Sequence, residues 1–418
     1  MKELKCILIL NDFDYINGGV SQVAITSANA YAAMGFRVLY FSAAGNSERM
    51  DLSDKVERYS TGQTDILNDP SRLHALRQGL WNRKAAQLLK TVLAKLDPQA
   101  TVIHLYGWMK ALSPSVGKVI VGSGFPVICS LQDYFAACPN GAFYNYPRQH
   151  ICHLKPLSVA CVCSNCDARS YMQKSWRVVR QALQWEIGGI PGRIRHFISI
   201  SKLTEEILRP YLPREAVIHA LSNPVSYTLP GKPRADVSQK ILLFAGRLSQ
   251  EKGPQLACEA ARIAGARLVV IGDGPMKASL EQAYPDVEFR GWATPAGIFE
   301  QMLRSTALIF PSVWNETQGI VVIEALSVGL PVIVSDVTAA RDYIDGSNGL
   351  TFRSGDSSDL AEKMKVLLDN EAGTDNMSRY AHKKYWEKPF SFDKFLSDLL
   401  SIYRELLEKN DTHKLTNT

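Results

Sequence analysis

Short runs of branched apolar residues alternate with longer amphipathic stretches along most of this chain. The apolar runs predicted as β-strands are Cys6–Leu10, Val38–Phe41, Thr101–Leu105, Val127–Leu131, Phe197–Ser201, Ile241–Ala245, Arg267–Ile271, Val287–Phe289, Ala307–Phe310 and Pro331–Ser335. Helices are predicted between them, among others at Val20–Met34, Trp81–Leu96, Leu203–Tyr211 and Gln255–Ala264. Because strands that are apolar throughout are buried on both faces, this alternation predicts an α/β fold with parallel sheets covered by helices.

The chain has 418 residues, which suits two or three domains of ordinary size. Residues 222–240, SNPVSYTLPGKPRADVSQK, contain three prolines and no apolar periodicity, so we interpret them as a linker. We therefore predict one parallel-sheet domain over 1–222 and a second over 223–388. Two such domains facing one another form a cleft at the carboxyl ends of their strands, where open α/β sheets bind ligands.

Composition excludes several classes of protein. With 46% hydrophobic and 21% charged residues, the chain is neither disordered nor fibrous. No apolar stretch reaches the ~18 residues of a membrane-spanning helix, and the amino terminus does not resemble a signal peptide, so a cytosolic location is expected. The net charge of +6 permits contact with phosphates or an anionic lipid surface without requiring either.

Two cations follow the strand predicted at the start of the second domain. In LLFAGRLSQEKG (242–253) the strand ends at Ala245, Gly246 allows a turn, and Arg247 and Lys252 follow. An Arg and a Lys beside a loop at a strand end suit a diphosphate, although a solvated surface gives the same pattern. The later turn VVIGDGP (269–275) lacks the third glycine of a dinucleotide-binding fingerprint.

The stretch IFPSVWNETQGIVVIEALSVGLPVIVSD (309–336) predicts a strand, a loop and a helix that begins near Gly319. The backbone N–H groups of Gly319, Ile320 and Val321 lie at the helix start, where a phosphate is readily bound. Glu324, one turn into the helix, can reach ribose hydroxyls, and Glu316 lies on the loop. Either carboxylate can also be a surface charge, but Glu324 lies within an apolar run, where an unpaired carboxylate is rare.

These motifs, in this order and spacing, resemble the retaining glycosyltransferases of family GT4, which have the GT-B fold of two Rossmann-like domains. SNPV (222–225) and GFRV (35–38) match as well. The resemblance implies a nucleotide-sugar donor held mainly by the second domain. It also implies that the last helices, within 389–418, pack against the first domain.

Carried over by position, the resemblance gives roles to individual residues of the second domain. Arg247 and Lys252 hold the diphosphate, Glu324 holds the ribose, and Glu316 contacts the transferred sugar. Two cations and a helix start can stabilise a departing nucleoside diphosphate without a divalent metal. We therefore expect metal-independent transfer with retained anomeric configuration and no cofactor for catalysis.

The first domain carries two further candidate segments. NDFDYINGGVSQVA (11–24) contains Gly18 and Gly19, which in the resembling family approach the donor from the opposite wall, and which otherwise serve as a helix-entry turn. Many relatives carry His-Asp after the strand where this chain has Gln132 and Asp133. Glutamine cannot titrate, so Gln132 either anchors the sugar as a polar group or leaves the catalytic role to Asp133. His104 also ends a strand, and is either a cleft residue or a structural one.

Five cysteines cluster in a predicted insertion over about 134–196: Cys138, Cys152, Cys161, Cys163 and Cys166. Four thiolates can close a structural zinc site, and our hypothesis uses Cys138, Cys152, Cys163 and Cys166. Only one Cys-x2-Cys pair is present, so reduced thiols packed inside the insertion are the alternative.

A basic stretch follows at 168–197, with six Lys/Arg, one acidic residue (Glu186), and Trp176 and Trp185. Such a stretch suits an anionic membrane surface or a lipid diphosphate acceptor. The alternative is a helix packed on its own domain with solvated arginines. No nucleic-acid-binding module is recognised, and nucleic acid is not expected as a partner.

Together these features predict a glycosyltransferase that moves a sugar from a UDP- or GDP-linked donor to a glycan hydroxyl. The expected acceptor is a lipid-linked precursor of a bacterial surface polysaccharide, and the expected location is the cytoplasm, peripheral on the inner membrane face. One alternative is a nucleotide-sugar 2-epimerase. The other is a non-catalytic nucleotide-sugar-binding subunit, which is suggested by Gln132.

Overall fold

The computed structural model describes residues 3–45, 51–66, 68–225 and 240–409. It divides into two compact units, the first comprising Met1–Ala142, Leu154–Ser222 and Asp393–Thr418, and the second Phe143–His153 and Asn223–Phe392. Most of the predicted linker (226–239) and the polar tail (410–418) lie outside the described residues. A short segment within the predicted cysteine-rich insertion thus groups with the second unit.

The described residues form fifteen strands. They are β1 (Cys6–Leu10), β2 (Arg37–Ala44), β3 (Glu57–Gln63), β4 (Thr101–Leu105), β5 (Val127–Leu131), β6 (Tyr144–Asn145), β7 (His150–Ile151), β8 (His196–Ser199), β9 (Val217–Ala220), β10 (Ile241–Ala245), β11 (Arg267–Ile271), β12 (Glu288–Gly291), β13 (Ala307–Phe310), β14 (Val332–Ser335) and β15 (Gly349–Phe352).

The helices complete the pattern. They are α1 (Gly19–Ala33), α2 (Arg72–Leu80), α3 (Arg83–Leu93), α4 (Pro114–Val121), α5 (Val159–Cys163), α6 (Tyr171–Leu183), α7 (Lys202–Leu208), α8 (Pro254–Ala264), α9 (Lys277–Ala283), α10 (Pro295–Arg304), α11 (Ile320–Ser327), α12 (Ser357–Asp369), α13 (Glu371–Glu387) and α14 (Phe392–Lys409). A π-helical turn, Gln184–Gly188, continues α6.

Each unit is built on one parallel sheet. The first has seven strands in the order β3-β2-β1-β4-β5-β8-β9, and the second has six in the order β12-β11-β10-β13-β14-β15. Every neighbouring pair in both sheets is parallel. The predicted α/β class with parallel sheets is confirmed. The central strands β1, β4 and β10 are buried along their whole length, as strands covered on both faces must be.

The last described helix belongs to the first unit and covers a buried hydrogen-bond chain. Tyr403 of α14 lies 2.6 Å from Nδ1 of His104, whose Nε2 lies 2.7 Å from Ser130 Oγ. Tyr31 Oη donates to the carbonyl of Leu396 on the same helix. Burial lowers the pKa of His104 to about 3, so its imidazole is neutral. His104 is therefore a structural residue beneath α14.

Two loops of the second unit touch backbone to backbone. Gly272 has φ +149°, and a Cβ added there would lie 1.8 Å from the carbonyl oxygen of Gly246. At Gly274 (φ +157°) a Cβ would lie 2.5 Å from the carbonyl oxygen of Leu248. Hydrogen bonds join the same loops, from Gly246 N to Ile271 O (3.0 Å) and from Leu248 N to Asp273 O (2.9 Å). The glycines are required because no side chain fits between the two backbones.

We expect Gly272→Ala to lower the free energy of unfolding by about 3 kcal/mol, because the added methyl meets backbone and the loops must separate. Urea unfolding followed by circular dichroism measures the loss. Gly297→Ala, in α10, is the matched control, since a Cβ added there would lie 3.5 Å from its nearest neighbour, Thr294 Oγ1. Equal unfolding midpoints for the two variants would contradict the close contact.

Candidate active site

Lys252 and Glu316 meet in the second unit, where the loops after β10 and β13 come together. The Lys252 ammonium forms an ion pair with Glu316 Oε1. Ser312 Oγ donates to the other carboxylate oxygen over 2.7 Å. The ammonium also lies 5.6 Å from the centroid of the Trp314 ring. The structure thus brings together two of the predicted site residues and adds Ser312 and Trp314, which the sequence analysis did not identify.

A charged ligand at this site would have to compete with the Lys252–Glu316 ion pair. Both side chains are largely buried, at 24% and 12% exposed, and each neutralises the charge of the other. An anionic group at this loop would compete with the Glu316 carboxylate for the Lys252 ammonium, and would leave that carboxylate able to accept from hydroxyl groups. Arg247 lies nearby in sequence, two residues after β10, and its side chain is exposed.

Helix α11 begins without a side-chain cap. Its N-cap residue, Gly319, has φ +79° and no side chain to accept from the first N–H groups. A Cβ there would lie 3.0 Å from the Phe310 ring and 3.1 Å from Ala340 Cβ, so the backbone is tightly seated. The N–H groups of Gly319, Ile320 and Val321 lie at this helix start, which is an arrangement that binds anions.

Gln318, in the loop just before α11, forms hydrogen bonds with Asn223. The Gln318 amide accepts from the Asn223 backbone N–H (3.2 Å) and donates to the Asn223 carbonyl (2.9 Å). Asn223 belongs to the SNPV segment that carried part of the family resemblance. These two hydrogen bonds hold the SNPV segment against the loop that precedes α11. Sequence spacing does not reveal this contact.

Glu324 lies on α11, one turn beyond the helix start, and is half-buried. Burial raises the pKa of its carboxyl from 4.5 to about 7. The side chain is therefore partly protonated in the ligand-free protein at neutral pH. A ribose hydroxyl that donates to the carboxylate would favour the ionised form.

The first unit has a small cavity of about 40 Å³ at the carboxyl ends of β1, β4 and β5. Asp133 and the residues Asn17, Val20 and Ser21 line it. The loop that holds Gly18 and Gly19 thus lies near Asp133. Packing does not require glycine at either position, since a Cβ added at either would meet nothing within 4 Å. The open space above them suits the approach of a ligand.

At this edge of the sheet Gln132 is buried and Asp133 is half-buried. Burial raises the pKa of Asp133 to about 6, although the backbone N–H of Phe135 donates to its carboxylate over 3.0 Å. A carboxyl with this pKa can exchange a proton near neutral pH. The non-titratable amide of Gln132 precedes it.

Asp12 is a buried cavity residue that the sequence analysis did not single out. It accepts backbone N–H groups of Lys110 (2.9 Å), Ala111 (2.8 Å) and Leu112 (2.8 Å). With Asp14 it forms the one Asp-x-Asp sequence of the chain, a pattern that can hold a divalent metal. Here the Asp12 oxygens hold the loop after β4 instead. The signal was an acidic residue two positions after a fully apolar strand.

Part of the cysteine cluster lies beside a buried lysine. Lys174 is 1% exposed and its ammonium donates to Cys161 Sγ over 3.5 Å. Burial opposes the charge, but the neighbouring thiols of Cys166 and Cys161 leave the pKa of Lys174 raised. Asn140 accepts from Cys138 Sγ (3.0 Å) and donates to Cys166 Sγ (3.4 Å).

The arrangement differs from the proposed zinc set of Cys138, Cys152, Cys163 and Cys166. Within the described ranges, no group of three His, Cys, Asp or Glu side chains is placed to hold a metal ion. Cys163 is exposed and Cys161 is buried beside Lys174 in its place. The cysteine that accepts from the Lys174 ammonium, Cys161, does not belong to the hypothesised set.

The cations of α6 also differ from expectation. Lys174 and Arg180 are buried, and Arg177 pairs with Asp167 over 2.9 Å. Arg180 donates to the Met109 carbonyl over 2.6 Å and lies 4.8 Å from the centroid of the Trp176 ring. Burial lowers the pKa of Arg180 to about 9. These three cations of the basic stretch therefore turn toward the protein, and α6 exposes apolar residues instead.

Comparison with known proteins finds a family similarity in most of the second unit. Residues 239–370 match the family model described as Glycosyl transferases group 1. Residues 239–370 are therefore similar to the group 1 glycosyltransferases. Solved structures confirm the GT-B fold over nearly the whole chain. A sucrose-phosphate synthase from Thermosynechococcus elongatus superposes with a TM-score of 0.69 at 18% identity, covering 97% of this chain and 100% of that one. HepE of Anabaena, in complex with UDP, gives 0.63 at 17%, covering 96% and 99%.

Curated relatives match mainly through part of their length. A phosphatidyl-myo-inositol mannosyltransferase of Mycobacterium leprae is 31% identical over 170 residues, covering 36% of this chain and 45% of the relative. The O-antigen chain mannosyltransferase C of Escherichia coli is 24% identical over 183 residues, covering 42% and 49%. The chain thus spans less than half the length of these relatives. No helix in the described part of the chain has the length and apolar character needed to cross a bilayer.

We expect Glu324→Gln to stabilise the ligand-free protein at pH 8 but not at pH 5. The folded-state pKa of about 7 exceeds the ordinary value of 4.5, so ionisation opposes folding as pH rises through this window. The gain at pH 8 is at most about 3 kcal/mol. Urea unfolding at both pH values measures it.

The exposed Glu362, on α12, provides the control Glu362→Gln, which should change stability little at either pH. An unchanged unfolding midpoint for Glu324→Gln at pH 8 would show that Glu324 is not held in an unfavourable environment.

Proposed function

We propose that this chain transfers a sugar from a nucleotide-diphosphate sugar to a hydroxyl group of a glycan. The observation that carries the proposal is the Lys252–Glu316 ion pair, which belongs to the same unit as the uncapped start of α11 and Glu324. The match of residues 239–370 to the group 1 glycosyltransferases supports it. So does the fold shared with a protein solved in complex with UDP.

Each group of the second unit has a task in this reaction. Lys252, Arg247 and the N–H groups at the start of α11 bind the diphosphate, and they stabilise the charge that develops when it departs. Glu324 accepts from the ribose hydroxyls. Glu316, released from Lys252, accepts from hydroxyls of the transferred sugar. Protein cations and backbone dipoles then do the work of a divalent metal, and the transfer retains the anomeric configuration.

The first unit supplies the acceptor side of the proposal. Its cavity at the carboxyl ends of β1, β4 and β5 brings Asp133 close to the loop of Gly18 and Gly19. A carboxyl with a pKa of about 6 can accept a proton from an attacking hydroxyl at neutral pH. Relatives named for O-antigen and phosphatidyl-myo-inositol acceptors favour a lipid-linked glycan made at the cytoplasmic face of the membrane.

A subunit that binds donor without turning it over is the second candidate. It is favoured by Gln132, which cannot take part in proton transfer or carry charge. Incubation with radiolabelled donor sugar and a lipid-linked oligosaccharide separates the two, because only a transferase moves label into the lipid fraction. An epimerase would instead change the sugar while it stays nucleotide-linked.

We expect either UDP or GDP, and its sugar conjugates, to raise the thermal unfolding midpoint selectively, with and without EDTA. A ligand that binds only the folded state stabilises it by an amount that rises with the logarithm of the ligand concentration above its Kd. Lys252→Ala should reduce donor affinity by roughly tenfold or more, since a charge-assisted contact is worth about 1.5–3 kcal/mol. A thermal-shift titration measures both effects.

Lys383→Ala is the matched control, since Lys383 is an exposed lysine on α13 of the same unit. A shift abolished by EDTA would overturn the metal-independent binding. Equal affinity of Lys252→Ala and the control would remove Lys252 from the donor site, and no shift with any nucleotide would overturn the proposal itself.

A further inference from the structure

Exposed apolar side chains gather on three helices of the first unit. Among the described residues, fourteen large apolar side chains are exposed, and six of them lie on α2, α5 and α6, which together have 27 residues. They are Leu73, Leu76, Val159, Tyr171, Met172 and Val179, and we call their surface the α2–α5–α6 face. Val159 (81%), Met172 (79%) and Leu73 (70%) protrude most. Single exposed apolar residues are ordinary, but such a concentration marks an interaction surface.

Direct contacts make this face continuous. Trp176 of α6 donates its indole N–H to the Leu76 carbonyl on α2 over 3.2 Å. The same indole packs against Gly79, where a Cβ would come within 2.6 Å of the ring. Tyr171 Oη donates to the Val162 carbonyl on α5 over 3.1 Å. The three helices therefore present one joined surface.

Basic residues outnumber acidic residues in the segment that forms this face. Helices α2, α5 and α6 contain no Asp or Glu and carry five Lys or Arg, and the three on α6 turn toward the protein. Over residues 71–204 the sequence has 17 Lys or Arg against 4 Asp or Glu, an excess of 13, whereas the whole chain has a net charge of +6. Arg72, Arg77 and Arg169 are exposed beside the apolar side chains. An electropositive rim around protruding apolar residues complements an anionic surface that has an apolar interior.

We propose that the α2–α5–α6 face docks onto an anionic lipid bilayer. Leu73, Val159 and Met172 enter the boundary between headgroups and acyl chains, while the arginines bind lipid phosphates. This differs from docking through the cations of α6, because Lys174 and Arg180 are buried. The proposal does not rest on the transfer reaction, since none of these helices carries a residue assigned to the donor.

Flotation of the full chain with vesicles tests the proposal. We expect binding to phosphatidylcholine vesicles that contain about one quarter phosphatidylglycerol, weak binding to phosphatidylcholine alone, and loss of binding at high salt. Leu73→Gln/Met172→Gln should weaken binding about tenfold or more, because two protruding apolar side chains are removed. Arg72→Gln/Arg77→Gln should weaken it by a similar factor.

The control is Ile263→Gln/Val366→Gln, which changes two exposed apolar residues of the second unit (46% and 53%). All variants should keep the nucleotide-induced thermal shift of the wild type, which separates this proposal from the donor site. Equal binding of the Leu73/Met172 variant and the control, or equal binding to neutral and anionic vesicles, would overturn it. If light scattering shows that the Leu73/Met172 variant instead loses a dimer, the face contacts a second copy and the bilayer proposal fails.

Discussion

In the second unit, the contact between two glycine-bearing loops sets the position of the two cations of the candidate site, Arg247 and Lys252. Gly272 and Gly274 let the turn after β11 lie directly on the backbone of the loop after β10. That loop carries Arg247 and leads to Lys252, so the placement of both cations depends on atoms that have no side-chain chemistry. Backbone contact of this kind is stiff, because close-packed atoms cannot shift without opening the loop. A stiff loop holds Lys252 within reach of Glu316.

Charge in the candidate site is arranged at some cost to the ligand-free protein. Lys252 and Glu316 satisfy each other, and Ser312 completes the carboxylate. Glu324 is instead held where burial raises its pKa to about 7. Asp133 in the first unit shows a similar shift, to about 6. Groups whose ionisation is opposed by burial are often found at functional sites, since the same environment strengthens their contacts with a ligand.

Much of this architecture could be predicted because parallel strands bring their carboxyl ends to one edge. Residues that follow β10 and β13, such as Lys252 and Glu316, were assigned from that rule together with the family resemblance. The strands β3 and β9 were missed because they lie at the edges of the sheet and have polar or half-buried residues instead of an apolar run. Trp314, Asp12 and the contact of Lys174 with Cys161 were missed for a different reason. Their partners are distant in sequence, and periodicity carries no information on such pairs.

The burial of the thiols has a practical consequence for studying the chain. All eight cysteines lie within the described residues, and Cys163, at the end of α5, is the one that is exposed. Cys152 is partly covered, and the other six are buried. A maleimide dye added to the native protein should therefore attach chiefly to Cys163, four residues from Val159. The natural sequence thus provides a labelling position beside the α2–α5–α6 face, where the emission of an environment-sensitive dye reports directly on what that face touches.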